Sequence, residues 1–399
     1  MGLKLVHYKD FFELTSTKKE SRKLLILAVK GPGESRLGDA TELVKKKKLK
    51  GLTVAVRVMT LKIKTFQSGG SGSVLMWCAL ATIAALTSIA CNPQVDSLTQ
   101  RLSIATGGTG GVYYPYGGGV AKLISDHLVG VEATAEVTAG TVDNLKFIAN
   151  RSADIAFGLA DSIDDAANQR GVFADFGTVP MRAIAVLYDN YNHIVSVTGT
   201  GIETVADLNG RIVSTGAPGS GTEVSAFRIL EAAGVNPDTD ITKQSLGAAE
   251  SVDAIKDDKI DAFFFSGGIP TGAILDLAST PGRTIKVVPN GETLDTLQGQ
   301  DGSLVYHNSP IPSSVYPGME STVTVVAVSN ILVVHEEMDD TLAHDITRVL
   351  FEQHRELAAI HPMAATLAIE SATTGSPIPF HEGAIRYYSE QNAWSESSQ

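Results

Sequence analysis

Four strand-to-helix turns built from glycine and small hydroxyl residues constrain this chain more than any other feature of its 399 residues. They read GGTGGVYY (107–114), TAGTVDN (138–144), GAPGSGTEVS (216–225) and FSGGIPTG (265–272). Each follows an apolar or β-branched run and opens a helical stretch. Strands are expected at 102–106, 134–138, 154–159, 182–188, 194–197, 211–214, 261–265, 285–289 and 322–327. Helices are expected at 113–128, 142–150, 222–233, 251–259, 271–278, 338–356 and 364–369. Strands alternating with helices of this length predict parallel α/β sheets. Roughly 300 residues of such pattern exceed one sheet and suit two lobes. No linker rich in Pro, Ser or charge divides the body, so strands that cross between the lobes are expected to join them.

In open α/β folds, ligands sit in the crevice beyond the carboxyl ends of the strands. A helix N-terminus leaves backbone N–H groups unpaired and carries positive partial charge. Glycine lets an anion approach that backbone, and Ser or Thr adds a hydroxyl donor. Such turns hold a carboxylate or a phosphate without Lys or Arg. The candidates in the first turn are Gly108, Thr109, Tyr113 and Tyr114. The second offers Thr138, Gly140, Thr141 and Asn144, and the strand end at 159–162 offers Asp161 and Ser162. The third offers Ser220, Gly221 and Thr222, and the fourth Ser266, Gly267, Gly268 and Pro270. Taken singly, GGTGG packs a helix against a strand as readily as it binds a ligand, and Asn144 and Asp161 read as caps or turn residues. Tyr113 and Tyr114 are adjacent on a helix and cannot face the same way, so one of the tyrosines at 113, 114 and 116 is expected to face the cleft and another the core.

Several chemistries are excluded. No turn matches GxxxxGK[ST], and GGTGGVYY does not fit GxGxxG. There is no GxSxG elbow and no HExxH. The histidines of the body are scattered, and only His193, near an expected interlobe strand, draws notice, its plainer reading being a structural polar residue. No catalytic residue, metal or cofactor is expected. An enzyme on the same bilobed fold would need a general base, for which Asp161 and His193 are the candidates, neither with a partner in the sequence.

Charge is divided along the chain. Before position 91 stand 16 of the 32 basic and 6 of the 44 acidic residues, leaving 16 basic and 38 acidic after it. A body at −22 would repel phosphates, which argues against nucleic acid. Both cysteines, Cys78 and Cys91, lie in or at the end of one apolar stretch, so the body has no disulfide framework and no cysteine nucleophile.

That stretch, VLMWCALATIAALTSIA (74–90), follows Lys62 and Lys64 and has the length of a signal-peptide apolar region. It ends in Thr87, Ser88, Ile89 and Ala90 before Cys91, which resembles the lipobox of bacterial lipoproteins. Lipidation at Cys91 is therefore expected, with plain cleavage or a retained anchor as alternatives. Residues 59–90 then read as the signal peptide, with Met59 as the start of translation, 1–58 as a spurious or disordered extension, and 91–100 as a tether.

In this order, the turns resemble the TAXI family (TRAP-associated extracytoplasmic immunogenic proteins), solute-binding subunits of tripartite ATP-independent transporters. The family patterns TGGxxGxYYPxG, TxGSxxN, ADIA with an Asp soon after, GxxGSGT and DAFFxxGxP are met at 106–117, 138–144, 153–161, 216–222 and 261–270. A further match is the turn Tyr316, Pro317 and Gly318. Thr141 stands where Ser is usual, and Ala160 where a polar residue is frequent. The resemblance covers about 102–351. It implies an α/β, two-lobed periplasmic-binding-protein fold of type II, each lobe a mainly parallel sheet flanked by helices. One lobe would comprise 101–188 plus 328–399, the other 189–327. Turns 107–114, 138–144 and 161–162 would form one wall of the cleft, and 219–225 and 265–270 the other. It also implies capture, by hinge closure, of a small organic acid such as glutamate or a dicarboxylate, and a TRAP membrane permease as partner. The protein is expected to be a monomer at the periplasmic or cell-surface side, held by its lipid. A ligand-sensing receptor subunit is the alternative.

Overall fold

The computed structural model describes residues 3–8, 11–16, 25–27, 99–301 and 305–395. Two compact units are present, Met1–Asn92 and Pro93–Gln399. In the first, β1 (Leu3–Tyr8), β2 (Phe11–Ser16) and β3 (Leu25–Leu27) form an antiparallel sheet in that order. The expected signal peptide at 59–90, the lipidation site Cys91 and most of the tether lie outside the described residues.

The second unit is built on one mixed sheet with two halves. Its first half holds β4 (Gln100–Ala105), β5 (Val131–Glu136) and β6 (Ile155–Leu159), with β4 parallel to both neighbours. Gln100, expected at the end of the tether, pairs with Val131 at the start of β4. Two long strands, β7 (Met181–Val197) and β13 (Val323–His335), run antiparallel through the middle. The second half holds β8 (Ile212–Ser214), β9 (Thr242–Gln244), β10 (Ala262–Gly267) and β11 (Ile285–Val287), with β8 parallel to β9 and β10. Strand β12 (Tyr306–Ile311) pairs with the first half of β13. The order is β5-β4-β6-β13-β7-β10-β8-β9.

The long strands make the lobes. Residues 330–334 of β13 pair with β6 in the first lobe, and residues 191–196 of β7 pair with β10 in the second. The chain therefore passes between lobes near Asp189 and Asn190 in β7 and near Val328 to Asn330 in β13, where the register also shifts. The two-lobed α/β fold expected from the turns is the fold observed.

Burial follows position in the sheet. Central β6, IAFGL, is buried at every residue, as a strand covered on both faces must be, whereas edge strand β5 alternates. The expected pair of strands at 182–188 and 194–197 is instead one strand. The polar run Asp189 to His193 broke the apolar pattern, yet Asn190, Asn192 and His193 are buried and hydrogen-bonded within the sheet. Ser329 and Asn330 hid the length of β13 in the same way.

The helices are α1 (Tyr113–His127), α2 (Thr141–Ala149), α3 (Ala160–Ala167), α4 (Gly221–Ala232), α5 (Ala248–Lys256), α6 (Gly272–Ala278) and α7 (Leu294–Asp301). The single helix expected at 338–356 is two, α8 (Asp340–Glu352) and α9 (His354–Ala358), divided at Gln353. Asp339 starts α8 by accepting the Thr341 and Leu342 N–H groups at 2.9 and 3.0 Å. The helix expected at 364–369 is a tight 3-10 turn, Pro362–Thr366. A last helix, α10 (Glu382–Glu390), packs on α8 and was not foreseen.

Candidate functional site

The glycine-rich turns converge. A cavity of about 380 Å3 lies between the lobes, lined by residues of all four turns. From the first lobe come 107–113 and 137–141, and from the second 216–218, 220–222 and 265–267. Leu159 at the end of β6 and Asn190 at the crossing complete the wall, together with a fifth segment, 245–250. Across the cavity the lobes meet. The Ala273 N–H donates to Gly110 O and the Asp143 N–H to Gly219 O, each at 3.1 Å.

Four helices, α1, α2, α4 and α5, begin at this cavity. Their caps are Val112, Gly140, Ser220 and Gly247, and only Ser220 caps with a side chain, accepting the Glu223 N–H at 3.1 Å. Apart from the Asp143 N–H, which Gly219 O takes, the remaining first turns present backbone N–H groups with no side-chain partner, the arrangement that attracts an anion. Thr222 Oγ1 accepts the Ser266 N–H at 3.1 Å, so Ser220 and Thr222 each keep a hydroxyl proton to donate. Ser266 Oγ is buried and has no partner in the protein. Among the described residues lining the cavity there is no Lys, Arg or His, and the one charged side chain is the exposed Glu250.

The floor is a chain of neutral polar groups from both crossing strands. The Tyr113 hydroxyl donates to Asn330 Oδ1. Asn330 Nδ2 donates to Asn190 Oδ1 at 2.6 Å, and Asn190 Nδ2 reaches Ser266 O at 3.4 Å. Burial pushes the Tyr113 phenol well above its usual range, so it remains a donor at any physiological pH.

Of the expected site residues, Gly108, Thr109, Tyr113, Thr138, Gly140, Thr141, Ser220, Gly221, Thr222, Ser266 and Gly267 line the cavity. Six do not. Tyr114 points to solvent, since successive helical residues turn by about 100°; Tyr113 takes the cleft and Tyr116 the core. Asn144 is a buried strut: its amide donates to Thr106 O and Phe157 O at 2.7 and 2.8 Å and accepts from Thr138 Oγ1 at 2.6 Å. Asp161 and Ser162 lie in the first turn of α3 rather than in a loop, both fully buried away from the cavity. Gly268 packs against Met363 and Tyr188. Pro270, in a cis peptide with Ile269, also lies outside the lining.

His193 is likewise outside. Its Nδ1 lies 3.1 Å from Phe265 O and its Nε2 3.0 Å from the Tyr316 hydroxyl, which itself accepts the Thr271 N–H at 3.0 Å. Nδ1–H therefore donates and Nε2 accepts. Burial holds its pKa down at about 4, against weaker support from the Phe265 and Tyr191 backbones.

The fifth segment was missed. Ser245 to Glu250 (SLGAAE) is again a strand-to-helix turn of small residues, but the strand before it, Thr242–Gln244, is polar and exposed and gave no apolar signal. Asn190 was hidden by the polar interruption of β7.

The sequence pattern of the NMT1-like family matches residues 104–391, which takes in every element that lines the cavity. The chain belongs to the NMT1-like family. Among solved structures it is similar to the periplasmic aliphatic sulphonate binding protein of Escherichia coli, at 15% identity over 67% of this chain and 80% of that one, with a TM-score of 0.38. The alkanesulfonate-binding protein of Xanthomonas axonopodis pv. citri shows 14% identity over 74% and 94%, with a TM-score of 0.40. A ligand binding component of an ABC-type import system from Staphylococcus aureus shows 13% over 74% and 93%, with a TM-score of 0.41. Among the described residues, no helix of this NMT1-like protein is long and apolar enough to cross a membrane, and no cluster of three or more His, Cys, Asp or Glu could hold a metal ion.

Proposed function

We propose that this protein is an extracytoplasmic solute-binding protein that closes its two lobes on a small organic acid. The observation that carries the reading is the meeting of uncapped helix N-termini from both lobes at one cavity without a basic side chain. A carboxylate seated there receives backbone N–H groups and the hydroxyls of Ser220, Thr222 and Ser266. A ligand touching both lobes favours the closed form by its differential contacts. The two candidates for a general base, Asp161 and His193, are bonded elsewhere, which supports capture over catalysis. The TAXI-type motifs favour a TRAP permease as partner and an acid such as glutamate or a dicarboxylate as cargo. The apolar stretch before Cys91 favours attachment to the membrane by lipid, and the TAXI resemblance favours a monomer.

The double variant Ser220→Ala, Thr222→Ala tests the site. Two hydroxyl donors to a charged group are worth together about 2–3 kcal/mol, so the affinity for the preferred acid should fall roughly 30- to 150-fold. The rise in melting temperature that the acid produces in the unmodified protein should shrink accordingly. An unchanged rise would remove this turn from the site.

A further inference from the structure

Outside the cavity, one buried cluster of charges spans the two lobes. Asp161 and Asp165 stand one turn apart on α3 of the first lobe. Ser225 and Arg228 stand on α4 of the second lobe, and Tyr306 on β12, which pairs with the second-lobe half of β13. Asp161 Oδ1 accepts the Ser162 N–H of its own lobe at 2.7 Å. Its other oxygen faces the second lobe, accepting the Tyr306 hydroxyl at 2.6 Å and both Ser225 Oγ and Arg228 Nη1 at 3.3 Å. Arg228 Nη2 reaches Asp165 Oδ2 at 2.5 Å, and Nη1 donates to the Tyr306 oxygen at 3.0 Å. The side chains of Asp161 and Asp165 are 0% and 4% exposed and that of Arg228 17%, so the pair is shielded from solvent.

The placement ties this cluster to the cavity. Helix α3 starts directly after Leu159, and α4 starts at Ser220 to Thr222, all of which line the cavity. Helix α4 thus presents its N-terminal end to the cavity, α3 follows directly on the lining residue Leu159, and the two helices join to each other within their first two turns or so. Parting the lobes pulls α3 from α4 and hydrates both charges, whereas the closed form keeps Asp161 and Asp165 buried and tolerates them only while Arg228 is there to pair with them.

We propose that Arg228 is a positioning residue that latches the closed lobes through Asp161, Asp165 and Tyr306, and so sets how slowly the captured solute is released without touching it. This rests on the proposed function only in that the lobes open and close. Tyr306 braces the latch, donating to Asp161 while accepting from Arg228.

The test measures opening directly. The chain beyond Cys91 has no cysteine, so in the full chain Cys78→Ser and Cys91→Ser leave spin labels free to be placed at Thr134→Cys and Thr242→Cys. These are exposed positions on the outermost strand of each lobe. Without any added solute, the parent should populate the short interlobe distance. Arg228→Gln should cut that population at least about fivefold and Tyr306→Phe about twofold, with Arg228→Lys in between, because breaking a buried pair costs more than weakening it. A parent open throughout, or an Arg228→Gln distribution equal to the parent's, overturns the latch. A lower melting temperature with unchanged distances would mark a purely structural pair and overturns it too. Failure of the acid-binding reading shows separately, as no organic acid altering the melting temperature of the parent.

Discussion

Gly221→Ala is expected to leave each lobe folded and to weaken capture of the acid about a hundredfold, or roughly 2.7 kcal/mol. A methyl group on Gly221 would stand 2.6 Å from Leu159 Cδ1, 2.8 Å from Thr141 Oγ1 and 3.0 Å from Thr141 Cβ. Those atoms belong to the opposite lobe. The leucine tip can turn aside, but Thr141 is the first residue of α2, and its hydroxyl oxygen accepts the Leu159 N–H at 3.3 Å. The methyl therefore acts as a wedge in the closed form, where overpacking typically costs about 1–3 kcal/mol. In the open form it meets nothing from the first lobe, and alanine at the start of a helix reduces the entropy of the unfolded chain. The test is sharp: binding should collapse in calorimetry, while the melting temperature without ligand falls by no more than opening the latched lobes costs. Gly118→Ala, where a methyl would meet no atom within 4 Å, is the control and should change neither. Undiminished binding by Gly221→Ala would mean that the lobes do not close across this residue.

A second large effect concerns acid stability. His193 is neutral in the fold, with its pKa held at about 4 chiefly by burial, against about 6.5 in an unfolded chain. Between those values the unfolded state binds the extra proton, so stability rises with pH. The contribution is complete above about pH 6.5 and is lost as pH falls toward 4, by roughly 3 kcal/mol in all. His193→Gln keeps a donor for Phe265 O and an acceptor for the Tyr316 hydroxyl but cannot titrate. Denaturant unfolding at pH 7 and pH 4.5 should show the unmodified protein losing about 2–3 kcal/mol more than the variant over that interval. Equal losses would contradict a buried neutral imidazole.

The convergence of four turns on one cavity was legible because glycine, serine and threonine at a strand end serve both the tight turn and the exposed helix N-terminus. The crossing of the lobes was legible only as an expectation, since β7 and β13 carry polar residues where they pass between lobes. Asp189, Asn190, Ser329 and Asn330 look like loop residues in sequence and are strand residues in space, because their side chains bond to one another across the crossing. Asp161 and Asn144 show the converse. Both sit in motifs that resemble those of the TAXI family, beside the cavity, and both are consumed by bonds within the protein. Motif spacing places a residue near a site but cannot say which way its side chain turns, and a partner such as Arg228 or Tyr306, 67 and 145 positions away, leaves no local trace.

The central claim is that neutral donors of both lobes close on a carboxylate, and calorimetric titration of the unmodified protein tests it most directly. The panel should hold glutamate, succinate, 2-oxoglutarate and pyruvate, each beside its amide, together with glucose and inorganic phosphate. The account predicts one site per chain for at least one acid, with its amide bound at least about a hundredfold more weakly, because charge-assisted hydrogen bonds are lost in a dry cavity. An amide bound as tightly as its acid, or glucose bound where no acid is, would contradict it.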